Sequence, residues 1–168
     1  DLIGLENILT FVESGNFPFV IEETNYFHLE ILMELADYTL KDEIQKSPNK
    51  RIGEAKLLNY MRQITTGLLN ASKKHYAHLD LKPANILIFK NNAKIGDWGG
   101  SVFLKHNQGG SISLIGSQEA IAFSEAFASP EFLASCYDDE GINFNLHLCD
   151  IYSLGILVLN CCGIPLKE

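Results

Sequence analysis

With 168 residues, 46% of them hydrophobic, the chain can bury a core of its own, which sets disordered and collagen-like classes aside. Its 21 acids outnumber its 13 Lys and Arg, and the net charge of −8 argues against a nucleic-acid partner, which calls for clustered basic side chains. Cys136, Cys149, Cys161 and Cys162 lack the CxxC spacing of zinc or redox sites and no secretory signal opens the sequence, so they are expected to be reduced core thiols of a cytoplasmic protein, with the nucleus left open.

Residues 1–40 contain no Lys or Arg, while Asp1, Glu6, Glu13, Glu22, Glu23, Glu30, Glu34 and Asp37 accumulate there as a solvated acidic face. Apolar runs at 8–14 and 17–34, broken at Gly15-Asn16 and at Thr24-Asn25, predict the strands of a small sheet. From Gly53 to about Ala71, Leu57, Met61, Ile64 and Leu68 recur at helical intervals, with Leu58 and Leu69 widening the stripe, which predicts a core helix. Ile86 to Phe89 is a short β-branched run, Asn91-Asn92 is a turn signal, and Ala93 to Gly96 can return as a second strand. Residues 100–128, rich in Gly and Ser, predict a mobile loop. The apolar run from Ile151 to Pro165 is too short to span a bilayer and carries Ser153 and Asn160, so a buried helix is expected there. The sequence has no internal repeat.

The hairpin centred near Asn91 has a chemical consequence. Asn85 and Asp97 stand six residues either side of that centre, so antiparallel pairing would bring their backbones to about 5 Å at the open end. An amide oxygen and a carboxylate suit a hard cation such as Mg²⁺, which prefers a few protein oxygens plus waters and substrate phosphates. Asp80 and Lys82 sit just before the hairpin, with Pro83 restricting the backbone. A carboxylate there can orient a substrate hydroxyl and accept its proton, and an ammonium can stabilise charge on a moving phosphoryl group. Taken alone, such an Asp–Lys pair is usually a surface turn.

The run His78-Leu79-Asp80-Leu81-Lys82-Pro83-Ala84-Asn85, followed by Asp97-Trp98-Gly99, resembles the catalytic loop and metal-binding triplet of eukaryotic protein kinases, with Lys82-Pro83 similar to the serine/threonine branch. Ser129-Pro130-Glu131 resembles the end of the activation segment, and Asp150-Ile151-Tyr152-Ser153-Leu154-Gly155 the start of the central helix. Ile31-Leu32-Met33-Glu34-Leu35-Ala36 is similar to the strand and hinge beneath adenine. The resemblance implies Asp80 as catalytic acid, Lys82 as phosphate-facing lysine, Asn85 and Asp97 as metal ligands and Gly99 as pivot of the triplet. It further implies ATP contacts from Met33, Glu34, Ala36 and Leu87, with Met33 as gatekeeper, Ala36 offering backbone hydrogen bonds and Leu87 under the ring. His78 would pack beside Trp98, or be a plain core histidine. Ser124 would bond the acid and the lysine, or face solvent. Asp150 would brace the catalytic loop, or serve only as a helix N-cap. Glu131 closes the activation segment.

The implied fold is α+β and bilobal, with 1–33 as the end of the small lobe, 34–40 as hinge and 41–168 as a large lobe short of its C-terminal part. The implied function is ATP- and Mg²⁺-dependent phosphorylation of protein Ser or Thr, with no nucleic-acid partner and no membrane span. Two alternatives stand beside it: a catalytically silent kinase-like scaffold, and a small-molecule phosphotransferase, against which Gly99 and Ser129-Pro130-Glu131 count. The sequence departs from the family pattern in four places. No glycine-rich phosphate loop or lysine precedes Met33, where Gly4 and Gly15 are the early glycines, and the chain is expected to begin near the exit of the small-lobe helix, at Leu5-Glu6-Asn7-Ile8. Leu79 replaces a common Arg, which removes a guanidinium for a phosphorylated activation segment; Ala84 stands where relatives preferring basic substrates carry an acid; and Trp98 replaces the commoner Phe, its indole N–H needing a partner if buried.

Overall fold

A computed structural model describes residues 2–21, 24–104, 123–136 and 144–166, with the backbone alone for 16–21 and 24–29. Strands β1 (Phe11–Ile21) and β2 (Thr24–Met33) pair antiparallel, Ile21 opposite Thr24 and Ser14 opposite Ile31, with an irregularity between Phe11 and Glu13. The break expected at Gly15-Asn16 does not occur: both residues sit in the ladder opposite Glu30 and Leu29, because cross-strand pairing overrides their weak local strand preference.

A short strand β3 (Tyr38–Thr39) runs directly into helix α1 (Leu40–Lys46). Thr39 starts the helix by a reciprocal cap: its Oγ1 accepts from the Asp42 N–H at 3.1 Å, and Asp42 Oδ2 accepts from the Thr39 N–H at 2.9 Å. Helix α2 (Glu54–Lys73) follows, buried along Leu57, Tyr60, Ile64, Gly67, Leu68 and Ala71. Met61 is partly buried, whereas Leu58 and Leu69 are exposed, so the apolar stripe widens through Tyr60, Gly67 and Ala71 instead of through those leucines. Gly67 marks the closest approach, since a Cβ there would lie 2.7 Å from the carbonyl oxygen of Asn7.

Strand β4 (Tyr76–Ala77) precedes the hairpin of β5 (Ile86–Phe89) and β6 (Asn92–Ile95), and β7 (Val102–Phe103) returns to pair with β4. The sheet order β3-β5-β6 places the hairpin against the chain entering α1. Helices α3 (Pro130–Ser135) and α4 (Leu146–Cys161) complete the described residues, and no helix among them is long and apolar enough to cross a membrane. The loop expected at 100–128 falls largely outside the described residues, in 105–122.

Two apolar clusters hold these elements. The larger joins Leu40 and Ile44 of α1, Tyr60 and Ile64 of α2, Ile86, Ile88 and Ile95 of the hairpin and Leu157 of α4. The second joins Ala77, Leu79, Ala128, Phe132, Leu146 and Cys149. All four cysteines are free; burial raises the Cys149 thiol and pushes that of Cys161 up to about 12, so both are inert core groups, but Cys136 is exposed and is not a core thiol.

Two glycines in helices should respond oppositely to alanine. At Gly67 the helix-propensity gain of about 1 kcal/mol is outweighed by overpacking against backbone, so Gly67→Ala should lower stability by about 1–2 kcal/mol in urea unfolding. At Gly155 of α4, where nothing lies within 4 Å, Gly155→Ala should raise it by about 0.5–1 kcal/mol. A gain at position 67 would show that residue 7 is not packed on α2.

Candidate active site

The β5–β6 hairpin reverses over Lys90-Asn91, both at positive φ (49° and 69°), as a two-residue turn with the right twist requires. Lysine is a costly residue for that conformation, and the Asp37 carboxylate holds it by accepting the Lys90 N–H at 2.7 Å. The pairing Ile86–Ile95 and Phe89–Asn92 centres the hairpin between Lys90 and Asn91, half a residue earlier than the Asn91 expected from sequence. The residue opposite Asn85 is therefore Gly96, whose N–H donates to the Asn85 carbonyl at 2.9 Å, and Asp97 comes one step later.

Asp97 is exposed and in the left-handed region (φ 56°), a conformation Asp tolerates better than most residues. Trp98 and Gly99 continue into a 3₁₀ turn. The Trp98 indole meets its expected need for a partner by donating Nε1–H to the Ile95 carbonyl at 3.1 Å. Its ring stands edge-on to buried His78, with centroids 4.6 Å apart, and His78 Nε2 lies 2.9 Å from the Gly96 carbonyl oxygen. His78 is thus both a satisfied core histidine and the neighbour of Trp98.

Asp80 and Lys82 converge at the mouth of the hairpin. Lys82 Nζ donates to Asp80 Oδ2 at 2.6 Å and to Ser124 Oγ at 2.9 Å, so Ser124 is partnered and not merely solvent-facing. Asn85, 6% exposed, donates Nδ2–H to the Asp80 carbonyl at 2.9 Å and to Asp80 Oδ2 at 3.2 Å, which leaves its amide oxygen as the group available to a ligand. Asp80 Oδ1 is buried without a hydrogen-bond partner among the described residues. A buried carboxylate oxygen left unpaired is costly unless something else meets it.

Asp150 lies within α4, whose N-cap is Asn145, so the capping role weighed for Asp150 is excluded. Its carboxylate, 4% exposed, accepts the backbone N–H groups of His78 and Leu79, each at 2.8 Å. Burial pushes this carboxyl up and the two donors pull against it. Leu79 itself is buried at φ 64°, a strained position for a leucine.

The remaining expected residues are more dispersed. Met33 ends β2 opposite Phe11 and is 46% exposed, and no hydrogen bond engages Ala36 among the described residues. Leu87 on β5 is partly buried, its side chain 3.0 Å from where a Cβ on Gly96 would be. The Glu34 carboxylate is committed elsewhere, to Lys94 Nζ at 2.6 Å and the Thr10 N–H at 2.8 Å. Burial raises the Glu34 carboxyl, but these hydrogen bonds outweigh it and hold the group below its ordinary 4.5. Glu131 is exposed in the first turn of α3, with no ion pair among the described residues. Sequence reasoning missed the cap at Thr39 and Asp42 and the hold of Asp37 on the turn. The Thr39-x-x-Asp42 spacing would have signalled the first.

This geometry agrees with comparison to known proteins: residues 6–166 match the protein kinase domain. The chain belongs to the protein kinase family. It is 31% identical over 160 residues to the mitosis inhibitor protein kinase SWE1 of Candida albicans, covering 93% of this chain and 12% of that one. It is 31% identical over 141 residues to a Wee1-like protein kinase of Arabidopsis thaliana, covering 83% and 25%, and 29% identical over 141 residues to mitogen-activated protein kinase kinase 9 of the same plant, covering 83% and 41%. The chain thus spans between 12% and 41% of the length of these relatives. Its α+β fold is part of the bilobal kinase fold, and the small-molecule phosphotransferase reading gives way to the protein kinase family.

Two predictions test the site's supports. Asp150→Asn turns an NH₂ toward one of two backbone donors and should cost about 2 kcal/mol in thermal or urea unfolding, whereas preserved stability would mean that the brace contributes nothing. For Glu34→Gln the expected loss is about 0.5–1 kcal/mol at neutral pH, kept small by partial solvent screening of the pair with Lys94. Because the folded carboxyl titrates below its free value, that stabilisation exists above about pH 4.5 and is lost as the pH falls, so variant and parent should converge in acid.

Proposed function

We propose that this kinase chain is part of an enzyme that transfers the γ-phosphate of ATP to a serine or threonine hydroxyl of a protein. The observation that carries this reading is the buried, unpaired Oδ1 of Asp80 beside an Oδ2 already held by Lys82 and Asn85. One oxygen is anchored and the other is left for a hydroxyl. The substrate oxygen attacks the γ-phosphorus, the bond from that phosphorus to the β–γ bridging oxygen breaks, ADP leaves, and the hydroxyl proton passes to Asp80. Lys82, fixed between Asp80 and Ser124, places positive charge where the phosphoryl group moves. The Lys82–Ser124 contact and the Lys82-Pro83 sequence support the Ser/Thr class over tyrosine.

The Asn85 amide oxygen and the exposed Asp97 carboxylate are hard donors on neighbouring steps of the hairpin, and they fit Mg²⁺. When bound, the ion supplies charge neutralisation for the phosphates. The backbone of Ala36, which makes no hydrogen bond among the described residues, suits an adenine edge, Met33 and Leu87 are read as its apolar partners, and Glu34 can take part only through its backbone because its side chain is engaged. By the same reading residues 1–33 are small lobe, 34–40 hinge and 41–168 large lobe, with Gly99 the pivot after Asp97 and Glu131 the close of the activation segment. An ATP-dependent reaction suits the cytoplasm, with the nucleus left open.

In the full-length protein, Asp80→Ala should lower phosphoryl transfer by about a thousandfold while leaving ATP affinity largely unchanged, as read by a kinase assay beside nucleotide titration. Undiminished turnover would refute the role of Asp80. Labelled phosphate found only on tyrosine would refute the hydroxyl class.

A further inference from the structure

A cavity of about 490 Å³ opens directly beside Lys82 and Ser124, and its far wall is built by α1 and the turn that follows it, through Lys41, Gln45 and Lys50. Its charge is one-sided. Among the described residues three lysines line it and no carboxylate does. Lys82 is paired with Asp80 at 2.6 Å, but Lys41 and Lys50 take part in no ion pair among the described residues. The acids nearest to them in sequence are turned to other tasks: Asp42 caps α1 through Thr39, and Glu43 accepts from Tyr60 Oη at 2.9 Å and from Lys56 Nζ at 2.6 Å. Ala84, also in the lining, adds no compensating charge. In a chain of net charge −8, two ammonium groups that make no ion pair among the described residues and line one cavity, with Lys41 feeling Asp42 only at longer range, are a local reversal of sign.

We infer that this cavity receives an acidic side chain of the protein substrate, so that the enzyme prefers serine or threonine flanked by carboxylate or phosphate groups. This rests on the reading of Asp80 and Lys82 as the transfer site, because the cavity borders that pair. Lys41 and Lys50 attract the anion, and the partnered Lys82 remains with the reaction. Both are exposed, so their contribution is largely one of selection among substrates and falls as salt rises.

The experiment compares short synthetic peptides that share one serine and are flanked by Glu, by phosphoserine, by Ala or by Arg, assayed with the full-length protein and its Lys41→Glu/Lys50→Glu variant. The parent should favour the Glu-flanked peptide over the Arg-flanked one by about tenfold in kcat/KM at low salt, and the double variant should reverse the order. The neutral pair Lys41→Gln/Lys50→Gln should largely abolish the preference while keeping kcat on the Ala-flanked peptide. The phosphoserine arm tells whether carboxylate or phosphate is the better fit. Transfer without acidic preference, or with a preference that survives charge reversal, overturns the inference and leaves the transfer reading standing. If no peptide is phosphorylated but fluorescence anisotropy finds Glu-flanked peptide bound in a way that depends on Lys41 and Lys50, the cavity assignment holds and the transfer reading fails.

Discussion

The carboxylate of Asp150 is the constraint on which the site depends. The loop after β4 must hold Leu79 in the left-handed region and then deliver Asp80 toward the hairpin, a path with an intrinsic cost of about 1–2 kcal/mol at Leu79 alone. Two N–H groups in succession would be orphaned by that path in a buried place. One carboxylate, projecting from α4, accepts both. Each charge-assisted hydrogen bond contributes about 1.5–3 kcal/mol, enough to offset the strain at Leu79, while burial still holds the Asp150 carboxyl above its ordinary range. A helix some seventy residues further along the chain thereby sets the direction of Asp80.

The hairpin supplies the other half of the arrangement. Its buried β-branched residues Ile86, Ile88 and Ile95 fix which face meets α2, and the turn at Lys90-Asn91 fixes the register; a slip of one residue would move Gly96 from its place opposite Asn85. The Gly96 carbonyl lies against His78 and the Ile95 carbonyl takes the Trp98 indole, so the backbone leading to Asp97 is held by two ring systems that contact each other. Brace and hairpin meet at His78, whose N–H goes to Asp150 and whose ring goes to Gly96.

What could be read from the sequence follows the range of the interactions. The hairpin and the long helix were legible because each carries its own periodicity. The final helix was legible only as an apolar run, since it starts earlier, at Leu146, and leaves Leu148, Ile151, Tyr152 and Leu159 exposed where a buried helix was expected. The meeting of Asp80, Lys82 and Asn85 was legible because they lie close together in sequence. The register came out half a residue late because Asn91-Asn92 is the stronger turn signal on composition, while the actual turn uses Lys90 with help from Asp37, a residue far upstream. Leu58 and Leu69 looked like core because hydrophobicity scales reward leucine. The surface that α2 buries instead needs Gly67 to admit the Asn7 carbonyl and a tyrosine whose hydroxyl reaches Glu43, and neither requirement shows in an apolar pattern. For Asp150, local reading favoured a cap, since its partners are 71 and 72 positions away and no local rule spans that distance.

Leu79 shows how one substitution changes the way the loop is held. An arginine there would bring a charge, whereas leucine is 3% exposed and joins Ala128, Phe132, Leu146 and Cys149, so the residues around Ser129-Pro130-Glu131 are tied to the loop after β4 by apolar burial. Burying a leucine side chain contributes about 1.5–3 kcal/mol, similar to a charge-assisted hydrogen bond, but it is non-directional and insensitive to salt. The tie therefore does not depend on adding or removing a phosphate. It leaves Asp150 as the charge that orients the loop from behind, and the lysines beside Ser124 as the charges that face outward.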